Sequence, residues 1–188
     1  MKKICVFTGA AQGTNPDYKD AAFQLGKMIA ARSLGLVYGG GKRGLMGAVA
    51  DGVLANNGYV TGIIPKFLEN VEVGHKGVTD LHVIDTMHER KAMMYDMSDA
   101  FVIMPGGLGT LDETMEIITW RQLGLHNKPI IIANLNGYWD PMLMMVQNVI
   151  DQGFMHHGQT GHFEQANTLD EIADRLDAIA AQTSNEAV

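Results

Sequence analysis

Short apolar runs alternate with longer amphipathic segments along most of this chain, and that alternation narrows the fold more than any other feature. The runs lie at Lys3 to Thr8, Gly35 to Tyr38, Tyr59 to Ile64, Leu81 to Asp85, Ala100 to Met104 and Pro129 to Ala133, lengths that suit buried strands. Helical spacing covers Asp17 to Ser33, Leu45 to Asn57, Met87 to Met97, Leu111 to Leu125, Pro141 to Gln152 and Leu169 to Gln182. Repeated strand–helix order predicts a mostly parallel sheet covered on both faces. With right-handed crossovers this is an α/β, Rossmann-like, doubly wound domain over residues 1–183, followed by a short tail at 184–188. No repeat, low-complexity stretch or linker divides the chain.

Ligands in such a sheet bind beyond the carboxyl ends of the strands, near the point where strand order reverses. Three glycine-bearing loops follow strand candidates and are expected on that edge: Thr8 to Gly13, Gly39 to Gly44, and Pro105-Gly106-Gly107-Leu108-Gly109-Thr110-Leu111-Asp112-Glu113. The first lacks the G-x-G-x-x-G spacing of a dinucleotide site, and no acid closes the second strand to hold a ribose. The second is not a P-loop, because Lys42 is wrongly spaced and no Ser or Thr follows it.

The third loop is the informative one. A strand, glycines and a helix start in that order form an anion site. Small residues let the backbone approach a phosphate, and the helix N-terminus offers free N–H groups and the positive end of its dipole. The bland alternative is a tight turn with an ordinary acidic first helical turn. Glu113, however, is expected about one turn into the helix, where a carboxylate repels phosphate. Its presence points to a second task, on a sugar or a water. Arg90 and Lys91 fall near the start of another helix candidate, where bases oppose the dipole. Anion binding explains that cost; a solvated surface pair is the alternative.

Met87-His88-Glu89-Arg90-Lys91 and Pro105 to Glu113 together resemble the M-H-x-R-K and P-G-G-x-G-T-x-x-E motifs of the Lonely Guy (LOG) family, long mislabelled lysine decarboxylases. The resemblance extends through Ile117-Ile118-Thr119-Trp120, Gln122-Leu123-Gly124 and His126-x-Lys128-Pro129. It also takes in Tyr38-Gly39-Gly40-Gly41 with Gly44-Leu45-Met46-Gly47, and it covers residues 1–155. The first loop departs from the pattern: Gly9-Ala10-Ala11 stands where the family often has Gly-Ser-Ser, so two hydroxyls are missing.

The resemblance implies a phosphoribohydrolase that cleaves the N-glycosidic bond of a cytokinin riboside 5′-monophosphate, or of AMP, to free base and ribose 5-phosphate. It also implies a homodimer with sites near the interface. Arg90 and Glu113 would be the catalytic pair. Glu72, Lys91, Gly106, Gly107, Leu108, Gly109, Thr110, Leu111, Asp112 and Thr119 would line the substrate site, with Gly9, Gly40 and Gly41 as further candidates. Glu116 shares the helix face of Glu113 and could support it, a solvated acid being the alternative. A broader nucleotide 5′-monophosphate nucleosidase and a non-catalytic nucleotide- or cofactor-binding module are the rival readings, because fold alone does not settle chemistry.

The chemistry suits these residue types. Glycosidic cleavage passes through an oxocarbenium-like state with positive charge on the ribose ring, which a nearby carboxylate stabilises. Arginine stays protonated at neutral pH, so Arg90 is expected to act electrostatically rather than as an acid. Lysine decarboxylation would require pyridoxal phosphate on a lysine, and nothing in the sequence identifies one. No cofactor and no metal are expected: His156, His157 and His162 match no short zinc spacing, and the 13 methionines suit core or interface packing.

Composition removes other partners. With 21 acids against 14 bases, net charge is −7 and no basic cluster exists, which argues against nucleic-acid binding. No apolar stretch approaches the ~20 residues that span a bilayer, and no signal peptide is recognised, so a cytoplasmic location is expected. The single cysteine, Cys5, is expected in a core strand.

Overall fold

A computed structural model describes residues 1–69, 73–155 and 162–182. Its strands are β1 (Lys3–Phe7), β2 (Gly35–Tyr38), β3 (Val60–Pro65), β4 (Asp80–Ile84), β5 (Ala100–Ile103), β6 (Ile130–Ala133) and β7 (Glu164–Ala166). They form one sheet in the order β4-β3-β2-β1-β5-β6-β7, and every pairing is parallel. The expected Rossmann-like architecture is present, wholly rather than mostly parallel. Strand order reverses between β1 and β5, where Phe7 pairs with Ile103. That places the loops after these two strands side by side at the switch point.

The helices are α1 (Asp17–Ala31), α2 (Gly44–Leu54), the single turn α3 (Lys66–Leu68), α4 (Met87–Asp96), α5 (Leu108–Gln122), α6 (Asp140–Asp151) and α7 (Leu169–Ala181). Alternation along β1 shows why two layers are needed. Ile4 and Val6 pack with buried residues of α1, α2 and α7, whereas Cys5 and Phe7 pack with Met94 of α4, Ile117 and Ile118 of α5, and Met142 of α6. The central strands are buried on both faces, so they read as continuous apolar runs rather than alternating ones.

Two elements escape the hydrophobic pattern. β7 is three residues long and has only Ala166 buried, so it carries almost no apolar signal. α3 buries no residue at all. A third difference affects the site: α5 begins at Leu108, three residues before the expected Leu111. Gly107, in extended conformation, takes the N-cap position, and the helix therefore includes Leu108, Gly109 and Thr110. Glycine and threonine are poor helix formers, and tertiary packing of the turn overrides their propensity.

Candidate active site

The β1 and β5 loops are stitched together where strand order reverses. Gly9 N–H donates to the Pro105 carbonyl at 3.1 Å, and the Thr8 hydroxyl donates to the same oxygen at 3.0 Å. A side chain at Gly106 would leave its Cβ 2.1 Å from Thr110 Oγ1 and 2.9 Å from Gly9 N, so only glycine permits this closeness. The result is a fixed turn feeding straight into α5.

No side chain caps that helix. Among the described residues, no acceptor takes the amides of Leu108, Gly109 and Thr110. A Cβ at Gly107 or Gly109 would meet nothing within 4 Å. Among the described residues the start of α5 is therefore an uncapped helix N-terminus, with its donors and dipole facing open space. That space belongs to a cavity of about 830 Å³, lined by both loops, Arg90, Glu113, Leu68, Met87 and two tyrosines, Tyr18 and Tyr138. Its size suits a small organic ligand.

α4 brings the cation. Thr86 caps it through a capping box: its hydroxyl accepts from Glu89 N–H, and the Glu89 carboxylate accepts from Thr86 N–H at 2.9 Å. This fixes the first turn, from which Arg90 reaches under the loop after β2. Its Nη2 donates to the Gly39 carbonyl at 3.3 Å, and a Cβ on Gly39 would lie 2.0 Å from that nitrogen. Arg90 is 5% exposed and its Nε has no hydrogen-bond partner among the described residues, an unusual state for a buried donor. Glu113 is also buried, 8% exposed, and lines the same cavity. Ionisable residues are seldom so covered, and here the two meet at one pocket.

Cys5 lies beneath them. Burial pushes its thiol well above the usual range; the charge of Glu113 adds to this, while a hydrogen bond with Ser98 and the charges of Arg90 and Lys128 oppose it. It stays protonated and packs in the sheet.

The helix start at Leu108 re-sorts the expected α5 contacts. Gly106, Gly107, Gly109, Thr110, Asp112 and Glu113 line the cavity, as does Gly9. Leu108 does not; it is 85% exposed. Leu111 packs against the core under α4 and α5. Thr119 lies outside the cavity too, exposed, with its hydroxyl donating to the Met115 carbonyl. Lys91 does not line the cavity and bridges two acids of α5, Asp112 at 3.2 Å and Glu116 at 3.0 Å. Glu116 accordingly serves this bridge and does not line the cavity. Burial pulls the Lys91 ammonium down, but hydrogen bonds and charge from Glu116 and Asp112 outweigh it and hold the pKa above the ordinary lysine value. Gly40 and Gly41 are buried away from the cavity: a Cβ on Gly40 would press on Ile63 and Ile64, and Gly41 bridges to Gly74. Glu72, His156 and His157 lie outside the described residues.

Among the described residues, no group of three or more His, Cys, Asp and Glu could hold a metal ion, and no helix is long and apolar enough to cross a membrane. Tyr18, Leu68 and Tyr138 line the cavity without having been singled out from the sequence. The one available signal was position, because Tyr138 follows β6 on the same edge of the sheet.

The sequence profile of a family described as possible lysine decarboxylase matches residues 46–176. Cytokinin riboside 5′-monophosphate phosphoribohydrolase LOG3 of Arabidopsis thaliana is 41% identical over 180 residues, 96% of this chain and 84% of that protein. The chain belongs to the LOG family. Another LOG protein, cytokinin riboside 5′-monophosphate phosphoribohydrolase LOG of Oryza sativa subsp. japonica, is 42% identical over 94% of this chain and 73% of its own length. Among solved structures, the molybdenum cofactor binding protein of Rippkaea orientalis has the same fold. It superposes with a TM-score of 0.72 at 22% identity, covering 95% of this chain and 98% of that one.

Proposed function

We propose that this LOG-family protein hydrolyses the N-glycosidic bond of a cytokinin riboside 5′-monophosphate or of AMP, releasing the base and ribose 5-phosphate. The observation that carries the reading is one cavity shared by an uncapped helix N-terminus, a buried carboxylate and a buried arginine. LOG relatives at 41–42% identity bear the name of this activity.

The 5′-phosphate sits against the amides of Gly107, Gly109 and Thr110, which line the cavity and where dipole and donors both favour an anion. That anchor fixes the ribose relative to Glu113, because both stand on the first turns of one rigid helix. As the C1′–N bond breaks, its electron pair leaves with the base and positive charge develops on the ribose ring. The Glu113 carboxylate stabilises that charge and takes a proton from the water that adds to C1′, and the departing base takes up a proton from solvent to leave as the neutral base. Arg90 has an unspent buried Nε–H to offer to the departing base or to the phosphate. The protein works as a cytoplasmic homodimer on this reading. Exposed Met144, Met145, Leu123 and Leu125 supply apolar surface for a second copy.

Chromatography of AMP, isopentenyladenosine monophosphate, GMP and CMP after incubation with pure protein tests it. Free base with ribose 5-phosphate is expected from the adenine compounds. Inorganic phosphate as the product, or no base from any of them, overturns the reading.

A further inference from the structure

The pocket is bordered at the start of α5 by the Gly106–Gly107 peptide plane. Gly106 and Gly107 are adjacent glycines, so no side chain of their own fixes the peptide between them. Pro105 is fixed through two hydrogen bonds on its carbonyl, and Gly107 carbonyl accepts from Leu111 N–H at 3.0 Å in the first helical turn. Between those anchors, the Gly106 carbonyl has one donor among the described residues, the Tyr138 hydroxyl at 2.5 Å. Carbonyl and N–H point to opposite sides of a trans peptide. Holding the Gly106 oxygen toward Tyr138 therefore aims the Gly107 N–H the other way.

Tyr138 is itself rigidly placed. Asn136 and Gly137 have φ of 55° and 70°, a reversal that swings the chain back over the sheet edge after β6. The buried Asn134 locks this turn: its amide donates to Asp140 Oδ1 and its oxygen accepts from Trp139 N–H, both at 2.7 Å. The Tyr138 ring meets Trp139 edge-on at 4.8 Å and Tyr18 edge-on at 5.5 Å. These two ring contacts orient the half-exposed side chain with its hydroxyl on the Gly106 carbonyl.

We infer that Tyr138 is a positioning residue that sets the Gly106–Gly107 peptide, and with it the first N–H of the anion site, for phosphate binding. The inference rests on the phosphoribohydrolase reading for its ligand and adds a residue outside both signature motifs. Tyr138→Phe keeps the ring and removes only the latch. Calorimetry with ribose 5-phosphate should show affinity falling about five- to tenfold, the scale of one hydrogen bond. KM for AMP should rise similarly with a smaller change in kcat, while adenosine affinity and Tm stay at wild-type values. Unchanged ribose 5-phosphate affinity, or equal weakening of ribose 5-phosphate and adenosine, would overturn the inference. Wild type that binds ribose 5-phosphate but releases no base would sink the hydrolase reading alone, and the Tyr138→Phe binding result would still judge the latch.

Discussion

Two helices of this protein start from glycine-rich loops on the same edge of the sheet, and they end in opposite states. α2 follows Gly39-Gly40-Gly41, and its N-terminus is filled by the chain itself. Leu45 N–H donates to the Gly9 carbonyl at 3.0 Å, Met46 N–H to the same oxygen at 3.3 Å, and Gly44 presses against the backbone of Ala10. α5 follows Gly106-Gly107, and its first amides face open cavity. The pattern of residue types is similar, but of the two helices only α2 has its first amides taken up among the described residues. In α2 the glycines make room for protein: Gly44 for the first loop, Gly39 for the Arg90 guanidinium. In α5, a Cβ on Gly107 or Gly109 would meet nothing within 4 Å. A glycine loop is thus ambiguous until its neighbours are known.

Adding charge chemistry to that contrast gives the largest expected effect. Glu113→Gln keeps shape at the open end and removes its negative charge. Turnover should fall by about two to three orders of magnitude, with AMP binding retained. Calorimetry alongside product chromatography checks both, and normal turnover would remove Glu113 from the mechanism.

The closed end should respond in stability instead. Gly44→Ala places a Cβ 2.3 Å from the Ala10 backbone at a φ of +62°, strain that has no flexible atom to absorb it. A loss of about 2–4 kcal/mol in denaturant unfolding is expected. Gly109→Ala at the open end should do the reverse. Its Cβ meets no protein atom, and alanine's helix propensity favours the fold by about 0.5–1 kcal/mol. Ribose 5-phosphate affinity should nevertheless drop, because the methyl occupies cavity space. If both variants lose stability alike, the contrast between the two ends is wrong.

Gly39→Ala sharpens the role given to the closed loop. The obstructed atom is the end of the Arg90 side chain, which can move at little structural cost. Tm should change slightly while turnover falls about tenfold or more, the effect of misplacing one positioned group. Wild-type kinetics would show that Arg90 does not need this seat.

The smallest effect concerns Lys91, which ties α4 to α5 outside the cavity. Its pKa is raised in the folded protein, so its stabilisation is complete below the unfolded lysine value of ~10.4 and fades as pH climbs through the folded one. Lys91→Met should lower Tm modestly at pH 8, and the gap from wild type should close toward pH 11. A gap independent of pH would mean that packing, not charge, is what the lysine supplies.

Much of this protein was legible in one dimension because periodicity is a local property. Ile4 and Val6 against Cys5 and Phe7 already announce two faces, and the buried runs at Gly35–Tyr38 and Ala100–Ile103 announce a parallel sheet. The motif around Glu113 likewise placed a carboxylate beside a glycine turn. What the sequence could not carry was every outcome decided between residues far apart in the chain. Whether the Gly39–Gly44 loop opens or closes depends on Ala10 and Arg90; whether Lys91 meets a ligand or a helix depends on Asp112 and Glu116. Tyr138 reaches Gly106 across 32 positions, with no periodic signal to mark it. Strands and helices follow from each residue's near neighbours, but space beside a glycine, and the partner of a buried charge, exist only once the sheet has brought distant loops to one edge.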